Sequence, residues 1–155
     1  MTVMNKLTHL VSLVLDEHRY ALPLNQVERV IPSIEITPLP YAPEIIAGVI
    51  NFLGRIIPIV NIRKRFRLPE RDITLDDHII ISNTTARPVA LVVDQVIGVI
   101  EIPVAAVTNA EKILPGMKYT EGVIKLEDGM ILIHDLDGFL SLEEVKKLNH
   151  AFVKR

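Results

Sequence analysis

Apolar residues along this chain come in short runs, each cut by glycine, proline, asparagine or aspartate. The runs are too short for buried helices and too continuous for surface ones, and they are rich in Ile and Val. Branched side chains fit a pleated surface well, so the pattern predicts many short strands joined by tight turns. Two hairpins stand out. One pairs residues 49–52 with 56–62 around Leu53-Gly54-Arg55, and the other pairs 122–126 with 130–136 around Glu127-Asp128-Gly129. The Asp-Gly step is a strong tight-turn signal.

The pattern also repeats. Ala21-Leu22-Pro23-Leu24-Asn25-Gln26-Val27-Glu28-Arg29-Val30-Ile31 aligns with Ala90-Leu91-Val92-Val93-Asp94-Gln95-Val96-Ile97-Gly98-Val99-Ile100, with six of eleven positions identical at an offset of 69. Farther on, Gly48-Val49-Ile50 returns as Gly122-Val123-Ile124 at an offset of 74, and Ile57 and Ile59 meet Ile131 and Ile133 at that offset. Block order is kept in both halves, which makes a duplicated fold the better reading. In each half a strand runs into a short polar residue, Asn25 or Asp94, suited to cap a tight helical turn by accepting a backbone N–H. Val27 and Val30, like Val96 and Val99, are three apart and share one face of such a turn.

Other segments read as connections. Residues 63–77 are polar and charged and predict an exposed link between halves. The proline-rich stretch 38–43 predicts an extended loop, with a short helix starting at Pro43. Ser141-Leu142-Glu143-Glu144 is a capping-box pattern. It predicts one closing helix with Leu142, Val145 and Leu148 on its buried side.

Composition then removes whole classes of function. Cysteine is absent, which excludes a disulfide framework and a thiolate nucleophile. A formal charge of −2 with 5% aromatic residues argues against an extended nucleic-acid surface. The apolar run at 10–15 is followed by no small-residue cleavage pattern, so no signal peptide is expected. A membrane helix over 45–62 would carry Arg55 and Pro58, and a pair of buried strands costs less. The expectation is a soluble chain.

Candidate chemistry is sparse. His134-Asp135-Leu136-Asp137 has metal-ligand residue types, but on a strand His134 and Leu136 face one way and the aspartates the other. No metal, cofactor or catalytic group is expected. The basic run Arg63-Lys64-Arg65-Phe66-Arg67 is either a patch for an anionic partner or a solvated strand end, and the spacing favours the second. Asp94 follows an apolar strand as a catalytic carboxylate can, yet its repeat partner is Asn25, so a cap is the simpler role. The four valines are either ordinary core or the lining of a groove between two pseudo-symmetric barrels, and periodicity alone leaves both open.

Ile36-Thr37-Pro38-Leu39-Pro40, followed by the uninterrupted run from Gly48 through Asn51-Phe52-Leu53-Gly54-Arg55 to Pro58-Ile59-Val60-Asn61-Ile62, resembles the hairpin of CheW-like chemotaxis coupling proteins. Val27-x-x-Val30, Val92-Val93-Asp94-Gln95-Val96 and Gly122-Val123 also sit where that family has them, so the resemblance spans nearly the whole chain.

The resemblance implies a mainly all-β protein of two interlocked five-stranded SH3-like barrels with short helical turns and a C-terminal helix. It implies one domain over residues 7–148, with subdomains centred on 20–80 and 86–140 and chain ends crossing between them. It further implies a non-catalytic cytoplasmic adaptor, recruited to membrane receptor arrays. Such an adaptor joins the cytoplasmic tip of methyl-accepting chemoreceptors to the regulatory domain of the histidine kinase CheA. Carried onto matching positions, the receptor groove would include Val11, Leu24, Val27, Val30, Val96 and Val99, and the kinase face Ile36, Leu39, Gly54 and Arg55. An adaptor of a non-flagellar chemosensory pathway is the alternative, with a small-ligand barrel behind it. Two positions depart from the family pattern: Leu53 stands where many members carry arginine, and Arg29 where many carry glutamate. If the family residues pair, losing both avoids stranding one charge.

Overall fold

The computed structural model describes residues 6–113, 115 and 118–153. Among these residues eleven strands form two sheets. The five-stranded sheet runs in the order β3 (Val27–Pro32), β6 (His78–Asn83), β7 (Pro88–Val93), β5 (Arg55–Val60) and β4 (Ile46–Phe52). The six-stranded sheet runs β8 (Gln95–Pro103), β1 (Leu7–Leu15), β2 (His18–Pro23), β11 (Gly129–His134), β10 (Thr120–Leu126) and β9 (Val107–Asn109).

The duplication is visible in these ladders. Each sheet contains one parallel pair, and there Ala90 faces Ile59 while Ala21 faces Ile133. Both alanines and both isoleucines are the partners that the repeat aligned. After that strand the chain changes sheets, in opposite directions: β2 leads into β3, and β7 leads into β8. The most similar stretch of sequence is therefore the crossing itself, and the two sheets interlock through it.

The resemblance implies five strands in each barrel, and the two sheets hold five and six. β9 makes a full ladder with β10 through Val107, Thr108 and Asn109. Its counterpart in the other sheet is a single bridge, Thr37 to Val49, with bonds of 2.8 and 2.7 Å. Pro38 comes next and has no N–H to extend that bridge. Gly48 and Gly122 recur because these neighbours press close. A Cβ on Gly48 would lie 2.5 Å from the Thr37 carbonyl oxygen, and one on Gly122 would lie 2.7 Å from a Val107 methyl.

Apolar burial explains why several runs lack alternation. Ile79 and Ile81 of β6 join a cluster inside the five-stranded sheet with Ile31, Ile50, Ile57 and Ile59. Ile80, between them, turns to a second cluster shared by both sheets, with Leu13, Leu15, Leu22, Leu91 and Val93. A strand buried on both faces reads as a continuous apolar run. Leu10, Ala21, Ile124, Ile131 and Ile133 fill the six-stranded sheet.

Local predictions divide. The capping box forms reciprocally: the Ser141 N–H donates to Glu144 Oε1 at 2.8 Å, and the Glu144 N–H donates to Ser141 Oγ at 3.1 Å. The helix it starts, α3 (Leu142–Val153), buries Leu148 and Ala151 but leaves Leu142 83% exposed. Leu142 occupies the first turn, before the helix meets the core. No helix follows Pro43; a single turn closes there, with the Ile46 N–H on the Pro43 carbonyl at 2.9 Å. Another helix, α2, spans Ala110–Ile113. The chain over 62–65 is not a strand end but a short helix, α1 (Ile62–Arg65), capped by the Asn61 side chain, which accepts from the Lys64 N–H.

β11 stops at His134, so the predicted alternation through Asp137 fails; Leu136–Gly138 is a 3-10 turn. His134 is buried among Tyr20, Phe66 and Phe139, stacked on Tyr20 at 4.8 Å, and neither ring nitrogen has a hydrogen-bond partner. Burial holds its pKa down at about 3, against 6.5 for a free imidazole. The unfolded chain therefore binds a proton that the folded one refuses. Stability is full above pH 6.5 and falls as pH drops toward 3, at up to about 1.4 kcal/mol per unit. Urea titrations between pH 6.5 and 5 should record that slope, and His134→Phe, which fits the aromatic surroundings, should flatten it.

Candidate docking surfaces

The crossing segments look alike in sequence but are held differently. At the first, Pro23 leads into a 3-10 turn, Leu24–Gln26, and no side chain caps it. Asn25 sits inside the turn. At the second no helical turn forms, and Asp94 is a single bend between β7 and β8. Neither predicted cap forms: Asn25 lies within its turn and cannot reach that turn's leading N–H groups, and at Asp94 there is no helical turn to cap.

Asp94 instead gathers ion pairs from distant segments. Its carboxylate accepts the Asp16 N–H at 2.8 Å, both oxygens take Arg63 at 2.9 Å, and Oδ1 takes Arg71 at 2.5 Å. Arg71 also holds the nearly buried Asp77 at 2.6 and 3.0 Å. Burial alone would raise the Asp94 pKa. The Asp16 N–H and the two guanidinium groups outweigh it and hold the carboxyl below its usual value. Arg65 is likewise committed, to Glu144 by two bonds of 2.8 Å and to the Tyr119 hydroxyl at 3.0 Å. The basic run is thus not a solvated strand end. Two of its arginines, each with a side chain 12% exposed, brace the connection against the Asp94 bend and against α3.

Four of the six predicted groove residues straddle the crossings. Val27 and Val96 are half-buried against the shared cluster. Val30 is 38% and Val99 57% exposed, on β3 and β8, which are edge strands of their sheets. Leu24, half-buried in the 3-10 turn, lies in an open depression with Leu10, Pro23, Val104 and Val107. Val11 differs: it is buried, paired with Val99 on one side and Leu22 on the other, so it backs a surface rather than presenting one. Ile97, 53% exposed between Val96 and Val99, was overlooked. Its signal was available, since an edge strand should alternate and Val96-Ile97 does not.

The other predicted face gathers at the tip of the β4–β5 hairpin. Gly54 is exposed in a two-residue turn, with φ of 52° at Leu53 and 84° at Gly54, both left-handed. Arg55 pairs with Glu28 at 2.5 and 3.2 Å, and the Arg29 guanidinium lies 5.5 Å from the Phe52 ring centroid. Glu28 and Arg29 are on β3, at the far edge of the ladder from β4, so the sheet curls until its edges meet through side chains. Ile36 packs on the five-stranded sheet's own cluster, whereas Leu39 packs on the shared one. The loop thus divides these two between separate cores.

No group of three metal-ligating side chains converges among the described residues. Asp137 accepts the Thr85 N–H at 2.7 Å, away from the enclosed His134. Two interlocked sheets with duplicated crossings and exposed apolar edges suit binding. The family model of the CheW-like domain matches residues 9–144. The chain belongs to that family. It is 26% identical over 154 residues to the chemotaxis protein CheW of Treponema pallidum, covering 96% of this chain and 91% of that one. With CheW of Thermotoga maritima it shares 30% over 133 residues, 86% and 87% of the two chains. The crystal structure of the scaffolding protein CheW from Thermoanaerobacter tengcongensis superposes with a TM-score of 0.80 at 31% identity, covering 90% and 96%. As a CheW-like protein the chain is a non-catalytic scaffold that couples chemoreceptors to CheA in chemotaxis signalling. No helix among the described residues is long and apolar enough to cross a membrane.

The unequal crossings give a direct test. Asp94→Asn leaves the largely buried Arg63 short of charge and loosens the more open Arg71, which keeps Asp77, and should cost about 1–3 kcal/mol. Asn25→Ala removes no capping bond and should cost under about 0.5 kcal/mol. Denaturant midpoints of the two variants check this; equal losses would restore the cap reading.

Proposed function

We propose that the receptor's cytoplasmic tip docks along the crossing strands, on Leu24, Val27, Val30, Val96 and Val99 with Val11 behind them. The observation that carries this is the exposure of Val30 and Val99 on two edge strands whose neighbours, Val27 and Val96, root in one shared core. Open apolar side chains rooted in a rigid core in this way suit the apolar face of a partner helix. The CheA regulatory domain binds around Ile36, Leu39, Gly54 and Arg55, at the hairpin tip and the loop beside it. Residues 7–148 act as one unit, its two subdomains being SH3-like barrels. The curl that brings Arg55 to Glu28, and the Thr37 bridge, support closure of the first; the run of chain from β8 into β9 supports the second. The protein works in the cytoplasm and joins the membrane through the receptors it binds.

The Arg55–Glu28 pair bears on the two family departures. The hairpin tip is already tied to β3 by an ion pair on neighbouring positions, and Arg29 is spent on Phe52. At position 29, an arginine introduced at position 53 would find a cation where the family pattern has glutamate. This fits a protein serving a variant receptor set, or a chemosensory output other than flagella.

Pulldown with a receptor cytoplasmic tip and with the CheA regulatory domain tests these surfaces. Val99→Glu and Val30→Glu lie on exposed positions and should leave the unfolding midpoint within about 0.5 kcal/mol of the parent. A charge there should still abolish receptor capture, since burying a valine is worth roughly 1.5–3 kcal/mol and burying a lone charge costs more. Capture by both variants at parental strength would move the receptor site elsewhere. Arg55→Ala should weaken kinase-domain capture and spare receptor capture. Leu53→Arg should bring no gain in receptor binding.

A further inference from the structure

The basic run is only half explained by the pairs at Arg63 and Arg65. Lys64 and Arg67, between and beyond them, have no acidic partner within ion-pair distance among the described residues, and neither does Lys118. All three line one open depression floored by Phe66 and Tyr119, beside the start of α3. Two carboxylates also line it. Glu144 is neutralised by Arg65, and Glu44 leaves the balance at three cations to one anion. The whole chain carries −2, so this concentration of positive charge runs against its overall sign.

A second observation concerns Arg67 alone. The helix α1 ends in a Schellman motif: the Leu68 N–H bonds the Arg63 carbonyl at 2.8 Å, and the Arg67 N–H bonds the Lys64 carbonyl at 3.2 Å. The residue closing such a motif must be left-handed, and Arg67 has φ of 57°. Glycine is the usual occupant, because a Cβ is strained there. An arginine at this position gives up local stability and sets a guanidinium at the mouth of the depression.

From these two observations we infer that the surface formed by Lys64, Arg67 and Lys118 docks a carboxylate-rich segment of a partner protein, apart from both faces proposed above. The chemistry favours spread carboxylates over a single phosphate. The guanidinium forks of Arg63 and Arg65, which would grip a phosphate in two places, are already filled. What remains free is two ammonium groups and one arginine, dispersed over an aromatic floor. Attraction of this kind is strong at low salt and fades as the Debye length shrinks.

The probe is a ten-residue glutamate peptide, titrated into the full chain at low ionic strength and followed by amide shifts in NMR. Shifts are expected at residues 64–67 and 118–119. Arg67→Gly should raise the unfolding midpoint by roughly 2–4 °C while weakening the peptide about three- to five-fold. Lys118→Ala should weaken it by a similar factor, and Lys146→Ala, on α3 outside the depression, should not. Unchanged affinity in Arg67→Gly and Lys118→Ala overturns the inference. So do shifts spread evenly over all lysines, or equal shifts from inorganic phosphate at the same concentration. Val99→Glu should leave peptide binding intact, which separates failure here from failure of the receptor surface.

Discussion

Two strands change sheets in this protein, and everything else is arranged around what that exchange buries. Because β2 leads into β3 and β7 leads into β8, neither sheet can be completed by one continuous half of the chain. The shared cluster of Leu13, Leu15, Leu22, Ile80, Leu91 and Val93 exists only when both sheets are in place. Separating them would expose the Ile80 face of β6, while Ile79 and Ile81 on its other face stay within the five-stranded sheet's own cluster. Rigid registration of one sheet on the other is the result, and an adaptor needs that if partners on its two faces are to sense a fixed geometry.

The polar contacts are subordinate to this core but not idle. Asp94 sits where the second crossing bends, and its bonds to Asp16, Arg63 and Arg71 tie that bend to the β1–β2 turn, to α1 and to the long connection. Arg65 and Glu144 do the same for the C-terminal helix, with Glu144 serving at once as capping-box residue and ion-pair partner. Charged side chains in a link usually mark a solvated stretch. Here Arg63, Arg65 and Asp77 turn inward while their charged neighbours stay exposed, and removing one partner of such a pair costs more than breaking a surface pair.

A division of labour follows along single strands. On β3, Ile31 is core, Val27 is half-buried, Val30 is open, and Glu28 and Arg29 reach across to the hairpin tip. On β8, alternate residues are half-buried and exposed, yet the exposed set includes Ile97 and Val99. Apolar side chains thus stand at positions where an edge strand is ordinarily polar, and they leave an apolar surface open.

Much of this was legible in the residues alone. Duplication, both hairpins and the closing helix with its capping box all rest on local patterns: period, turn residues and identity at a fixed offset. Such features depend on neighbours a few positions away, and the chain states them directly. The sequence could not say which sheet each repeated strand would join, that Asp94 would collect arginines while Asn25 collected nothing, or that Val11 would be interior and Val99 open. Asp94 meets its partners from 23, 31 and 78 positions away, and Val11 pairs with Val99 from the far end of the repeat. Pairing at that range depends on how two sheets pack, and no local pattern encodes it.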